Sequence, residues 1–290
     1  MFARCALALI ALYCWGWLPA LLIMLSSVWV VVASMLLRHA GHPRPLAELV
    51  GACWREGWQS ELVFGYWQPF AEDRVPDHLP DHLPDAAQGR PALLLLHGFH
   101  CNRGIWTDWL RWSRDQDVAC MALTLEPGDG SIDAYASAID AAIQQLTAAT
   151  GHAPVVVAHS MGGLAARAWW RAHGEPGRVA AIVTLGTPHA GTPMAHFASA
   201  TNARQMRPAS PWLKALHEAE AAKPLPTLHC VSANNDQIVF PTSTTHLAGA
   251  TQLELPATGH LGLVFHAEVR ALVARLLGLQ ASTLNTPRRI

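Results

Sequence analysis

From residue 91 onwards, six short apolar runs are separated by longer segments, and the first five show no alternation of polar with apolar residues. The runs are PALLLLHG (91–98), VACMALTL (118–125), APVVVAHS (153–160), RVAAIVTLG (178–186), PTLHCVSA (226–233) and TQLELP (251–256). Strands that are apolar throughout are covered on both faces, as in a parallel sheet packed between helices. The separators carry apolar residues at helical spacing. One of them, SIDAYASAIDAAIQQLTAAT, opens at a capping Ser131 and stops at Gly151. Strand alternating with helix predicts an α/β fold with a mostly parallel, doubly wound sheet. In such sheets reactive groups gather at the carboxyl ends of the strands.

The N-terminus is different. Residues 5 to 37 are almost unbroken apolar sequence. That is too long for the apolar centre of a secretory signal, which is about 7–15 residues. One membrane span needs about 20 residues and two need about 40. Two arrangements fit: a short hairpin broken at Pro19, or a span over 18–37 with the earlier part at the interface. Trp15, Trp17 and Trp29 suit headgroup depth. Arg4 precedes the run and Arg38 and Arg44 follow it, which leaves the side of the remaining chain open. The expectation is a membrane-anchored protein, with residues 1–40 as anchor, placed at the bacterial inner membrane.

Residues 41–90 read as a connecting segment with a helix over LAELVGACWREGW (46–58), followed by a first strand, ELVFGYW (61–67). The tandem DHLPDHLP holds Asp77, His78, Asp81 and His82, but its prolines point to a solvated surface loop rather than a metal site. The net charge of −1, with 14% charged residues, speaks against nucleic acid as partner. No CxxC pair occurs among the six cysteines, so they read as small buried hydrophobes.

Chemistry enters at VVVAHSMGGLAAR. Ser160 ends a buried strand and begins a helix. A turn that sharp lifts the hydroxyl into the open and demands small neighbours where strand and helix approach. Gly162 meets the demand, and Ala158 stands where the G-x-S-x-G pattern has glycine, with His159 between. The free N–H groups of the helix N-terminus favour negative charge beside Ser160. A serine hydroxyl needs a general base, and the base an orienting carboxylate. Among sixteen histidines, His260 is best placed, in the loop after the last strand. His97 and His100 follow the first core strand, the side chain of His159 is expected to point elsewhere, and His246 has no strand before it. Asp236 follows a buried strand by a few residues and is preferred to Glu254, which lies within one. Backbone N–H groups of Phe99 and Met161 are positioned to receive an oxyanion.

The motifs LLLLHGFH, VVVAHSMGGLAAR, IVTLGTPHAGT, NNDQIVFP and TGHLGL, in this order, resemble the α/β-hydrolase superfamily, and within it bacterial lipases and esterases. The resemblance spans roughly residues 60–278. It implies an α/β-hydrolase fold over 91–280, with a tail at 281–290, and a triad of Ser160, Asp236 and His260 running through an acyl-enzyme. It implies neither cofactor nor metal. The segment between two strands at 190–225 looks like a helical cap. With Phe99, its Met194, Phe197 and Met206 are expected to line an acyl-binding cleft. The activity implied is cleavage of acyl esters or lipids at a membrane. A thioesterase, lysophospholipase or acyltransferase would use the same triad, and a non-catalytic hydrolase-like binding protein is the reading from another class.

Overall fold

The computed structural model describes residues 2–25, 33, 46–79 and 89–279. Its centre is a six-stranded, all-parallel sheet in the order β2-β1-β3-β4-β5-β6. The strands are β1 (Leu93–Leu96), β2 (Cys120–Leu123), β3 (Val155–His159), β4 (Ala181–Leu185), β5 (Leu228–Ala233) and β6 (Thr251–Leu255). All six lie where the apolar runs place them. Register follows Leu93↔Val155, Val155↔Ala181, Ile182↔Leu228 and His229↔Thr251.

Alternate residues of each strand feed two apolar layers, as the two-residue strand period requires. Leu94, Leu96, Val156 and Ile182 face one layer, which includes Ile139, Ile143, Leu164 and Trp169. Leu93, Leu95, Val155, Val157 and Val183 face the other, with Trp106, Trp109, Val269 and Val273. Every residue of β1, β3 and β4 is buried.

For reference, helix α1 spans Phe2–Trp15, α2 Trp17–Met24 and α3 Leu46–Ser60. Helix α4 spans Thr107–Asp115, α5 Ala136–Thr150 and α6 Met161–His173. The later helices are α7 (Thr201–Gln205), α8 (Pro211–Ala222), α9 (Gly262–Phe265) and α10 (Ala267–Leu276). Ser131 accepts from Asp133 N ahead of α5, and Gly151 ends that helix at φ 72°. A left-handed residue there suits glycine, which carries no Cβ penalty.

The apolar N-terminus breaks at Gly16, with φ 89°, and not at Pro19. Pro19 lies in the first turn of α2, where a missing N–H costs no helical hydrogen bond. Helices α1 and α2 contact each other, with Ala8 and Ala11 buried. Among the described residues no helix is long and apolar enough to cross a membrane. The rest of the apolar run, including Trp29, lies outside the described residues.

The expected first strand at 61–67 is instead helical. Glu61–Trp67 continues α3 as a π-helix, with Gln68 N donating to Val63 O. No glycine or proline separates the two segments, so the helix propagates, and the short apolar alternation was no guide to type. The described part of DHLPDHLP, residues 77–79, is partly buried rather than fully solvated. His78 exchanges backbone hydrogen bonds with Cys120, His78 N to Cys120 O at 2.9 Å and Cys120 N to His78 O at 2.8 Å. Asp77 Oδ1 accepts from Ala122 N at 3.1 Å and from Arg103. Asp81 and His82 lie outside the described residues.

Candidate active site

Ser160 sits between β3 and α6 with φ 55° and ψ −125°. That left-handed backbone is strained for a residue with a side chain, and strain of this kind persists only where the surroundings enforce it. Here Ser160 N donates to Leu185 O at 2.8 Å, and Ser160 O accepts from Thr187 Oγ1 at 2.8 Å. Close approach explains the small neighbours. A Cβ on Gly162 would stand 2.6 Å from both Leu96 O and His97 O, and one on Gly98 would stand 2.8 Å from Ser160 Cβ. Ala158 is wholly buried and its methyl group is accommodated in the core.

Asp236, in the loop after β5, is fully buried. Its Oδ1 accepts from Ile238 N at 2.8 Å and Val239 N at 2.7 Å, and its Oδ2 lies 2.7 Å from His260 Nδ1. The carboxylate only accepts, so Nδ1–H donates and Nε2 is the basic nitrogen. Burial pushes the His260 pKa down, but the charge and hydrogen bond of Asp236, with the charge of Glu56, lift it above its ordinary value. Ser160 and His260 line one cavity of about 370 Å³, a volume within the usual range for small-ligand sites. Glu254, the discarded alternative, lies exposed on β6.

Phe99 lines the same cavity, and Met161 is the first residue of α6, where backbone N–H groups have no partner within the helix. The loop that carries Phe99 is braced by His97. Leu125 N donates to His97 Nε2 at 2.8 Å, so Nδ1 carries the proton and donates to Gly98 O at 2.8 Å. Burial holds the His97 pKa down to about 4, which keeps the ring neutral. His159 does not point away. Its ring lies 4.6 Å from the His260 ring, and its Nε2–H donates to His260 O at 3.2 Å. Burial, with His260 beside it, holds its pKa well below the ordinary value.

The 190–225 segment does not line this cavity. Met206, Leu213 and Leu216 are buried in the apolar layer beside α6, Phe197 is 85% exposed, and Met194 is only partly buried. Three of the four expected cleft residues are therefore elsewhere, because apolar spacing marks a face without saying what it faces. The wall is supplied by the N-terminal helix: Glu56, Ser60 and Phe64 join Phe99, Ile238 and Leu261 around the cavity. No sequence motif marked Glu56. Among the described residues no cluster of histidine, cysteine and acidic side chains could hold a metal.

Residues 131–252 match the model of the family described as "PGAP1-like alpha/beta domain". No curated protein matches the chain. Among solved structures, the mature form of Bacillus licheniformis lipase BlEst2 superposes with a TM-score of 0.59 at 17% identity, over 68% of this chain and 94% of that one. Aspergillus fumigatus lipase B superposes with a TM-score of 0.58 at 15% identity, over 72% and 57%. With its parallel sheet, its strained serine turn and these matches, the chain has the α/β fold of these lipases, and its residues 131–252 resemble the PGAP1-like alpha/beta domain.

Proposed function

We propose that the chain is a serine hydrolase of carboxylic acyl esters, working through an acyl-enzyme. Ser160 is the nucleophile. His260 Nε2 takes the hydroxyl proton and returns it to the leaving alcohol, and Asp236 fixes the ring tautomer and balances the imidazolium that forms. The N–H groups of Phe99 and Met161 receive the oxyanion, and a water activated by His260 releases the acid. One observation carries this reading: Ser160, strained at its turn, shares a cavity with a histidine whose Nδ1 is bound by a buried carboxylate. The similar folds named lipase agree with it.

We infer that the substrate lies in or at a membrane. The outer face of α3 exposes Val50, Trp54 and Trp58, spaced four apart, and Phe64 and Phe70 continue the exposed apolar surface. Exposed tryptophans beside a cleft are costly in water and favourable at headgroup depth. The apolar run 5–37 precedes this helix by eight residues, at most about 28 Å of extended chain. An anchor there keeps the cleft near lipid.

The test is hydrolysis of p-nitrophenyl esters of increasing acyl length by the full chain in detergent, with Ser160→Ala beside it. Turnover in the wild type and none in the variant is the expected result. Equal inertness across all lengths would sink the catalytic reading in favour of a binding protein. Release of thiol from acyl thioesters, or acyl transfer to an added alcohol, would move the reading to a thioesterase or acyltransferase.

A further inference from the structure

Glu56 is a buried carboxylate, 2% exposed, on a helix 204 residues before His260. Burying an unpaired charge costs several kcal/mol. A helix that needed only to dock would carry an apolar side chain there. The neighbouring Arg55 does not answer Glu56 by a hydrogen bond, since its Nη2 donates to Ala257 O at 2.8 Å. Instead three N–H groups converge on the carboxylate. Leu261 N donates to Oε1 at 2.6 Å, Gly262 N to Oε2 at 2.9 Å and Gln237 Nε2 to Oε1 at 3.0 Å. Each leads to the same place. Leu261 and Gly262 are the two residues after His260. Gln237 follows Asp236, and its Oε1 accepts from His260 N at 3.3 Å. The loop is built around this group: a Cβ on Gly259 would overlap Glu56 Oε2.

We propose that Glu56 is a positioning residue for His260, fixing the backbone on either side of the imidazole while Asp236 fixes its Nδ1, so that the base is held by two carboxylates from opposite ends of the chain. This rests on the reading of His260 as the general base. The groups around the ring are Asp236 from the β5 loop, Glu56 from α3 and His159 from the end of β3; Arg55 and His266 line a second cavity with Glu56, and Cys53 lies near enough to feel its charge. Burial dominates and leaves the Glu56 pKa above its ordinary value, although the three donors and His260 pull it back towards that value. All three donors suit the anion, and the anion favours a protonated His260. Imidazolium is the form that appears as ester attack proceeds, so Glu56 acts where the transition state differs from the bound substrate.

Glu56→Gln keeps the shape, removes the charge and sets an NH₂ group against one of three N–H donors. The imidazole pKa of His260 is read in the full chain by hydrogen–deuterium exchange at its ring carbon, followed by mass spectrometry. This measurement needs no substrate. Ester turnover is read per Ser160 that reacts with a fluorophosphonate, so that unfolded material does not count. The expected result is a lower His260 pKa, an acid limb of kcat displaced to lower pH, and a kcat at least about tenfold lower with KM little changed. A lower melting temperature with unchanged His260 pKa, acid limb and per-site kcat would overturn the proposal and make Glu56 a tether only. If Glu56→Gln does not fold, Gly259→Ala displaces the Glu56 carboxyl group without removing it; an unchanged per-site kcat there overturns the proposal equally. A wild type inert on every ester sinks the hydrolase reading alone, because the exchange measurement still decides whether Glu56 sets the state of His260.

Discussion

Asp236 holds His260 through a single oxygen, Oδ2, because its other oxygen is taken by two backbone N–H groups, Ile238 and Val239. The division fixes what an amide does in its place. In Asp236→Asn the remaining oxygen serves the two backbone donors, and the NH₂ faces His260 Nδ1. The ring then turns to the tautomer with its proton on Nε2, facing the serine. The expected loss is about 10⁴-fold in kcat with the fold retained. Ester kinetics beside a thermal melt check it.

Gly162 and Ala158 flank the serine unequally. Gly162→Ala puts a methyl group 2.6 Å from two backbone carbonyl oxygens, which cannot rotate away. Overpacking of this kind costs roughly 1–3 kcal/mol, and activity falls with it because β1 carries the Phe99 loop. Ala158→Gly restores the commoner pattern but places glycine in a strand, at about 0.5–1 kcal/mol. Melting temperatures and turnover of the two variants are expected to differ in that order.

Arg167 is wholly buried, with Nε and Nη2 each 2.7 Å from a Glu220 oxygen and Nη1 3.3 Å from His189 O. The pair ties α6 to α8. Arg167→Met leaves a carboxylate without its partner and is expected to cost roughly 3–5 kcal/mol, whereas Arg167→Met with Glu220→Leu recovers most of it. Denaturant unfolding measures both, and per-site kcat well below the melting temperature stays at the wild-type value.

Stability falls on the acid side. The unfolded chain protonates His97 near 6.5 and the folded one only near 4, so the unfolded state binds more protons between those values. The stabilisation is full above 6.5 and is lost as pH falls towards 4, by roughly 3 kcal/mol for this group. His159 and His189, also held low by burial, act in the same direction. His260, held high, acts oppositely: its contribution is present below 6.5 and is lost as pH rises through its folded value. Unfolding measured at pH 7 and pH 5 is expected to show a drop, and His97→Gln a smaller one.

The tryptophans on α3 give a separate test. Trp54→Ser with Trp58→Ser removes exposed rings that touch no part of the cleft. Turnover of a long-chain ester in phospholipid vesicles is expected to fall, while turnover of a soluble short-chain ester stays. Equal behaviour on both substrates would remove the lipid-facing role of this helix.

The six strands and the end of α5 were legible because a doubly covered strand and a helix-stopping glycine each leave a local mark, such as LLLL at β1 or Gly151 after α5. Ser160, Asp236 and His260 were legible as strand-end residues. What was not legible depends on distant partners. ELVFGYW alternates well enough for a strand, yet no breaker separates it from α3. Met206 and Leu216 have helical spacing and pack beside α6 instead of over the serine. Glu56 looks like one more surface charge in WREGWQS, and only contact with a loop 205 residues away buries it.

The pairing of His78 with Cys120 lies along the outermost strand of the sheet. A bare edge strand offers its unpaired backbone groups to any neighbouring copy and invites aggregation. Here a short piece of chain covers part of that edge, with Asp77 taking the N–H of Ala122. The opposite edge, β6, carries exposed Thr251, Gln252 and Glu254 in place of an apolar ribbon. Crowded copies would thus find, among the described residues, no flat, greasy border along which to zip together.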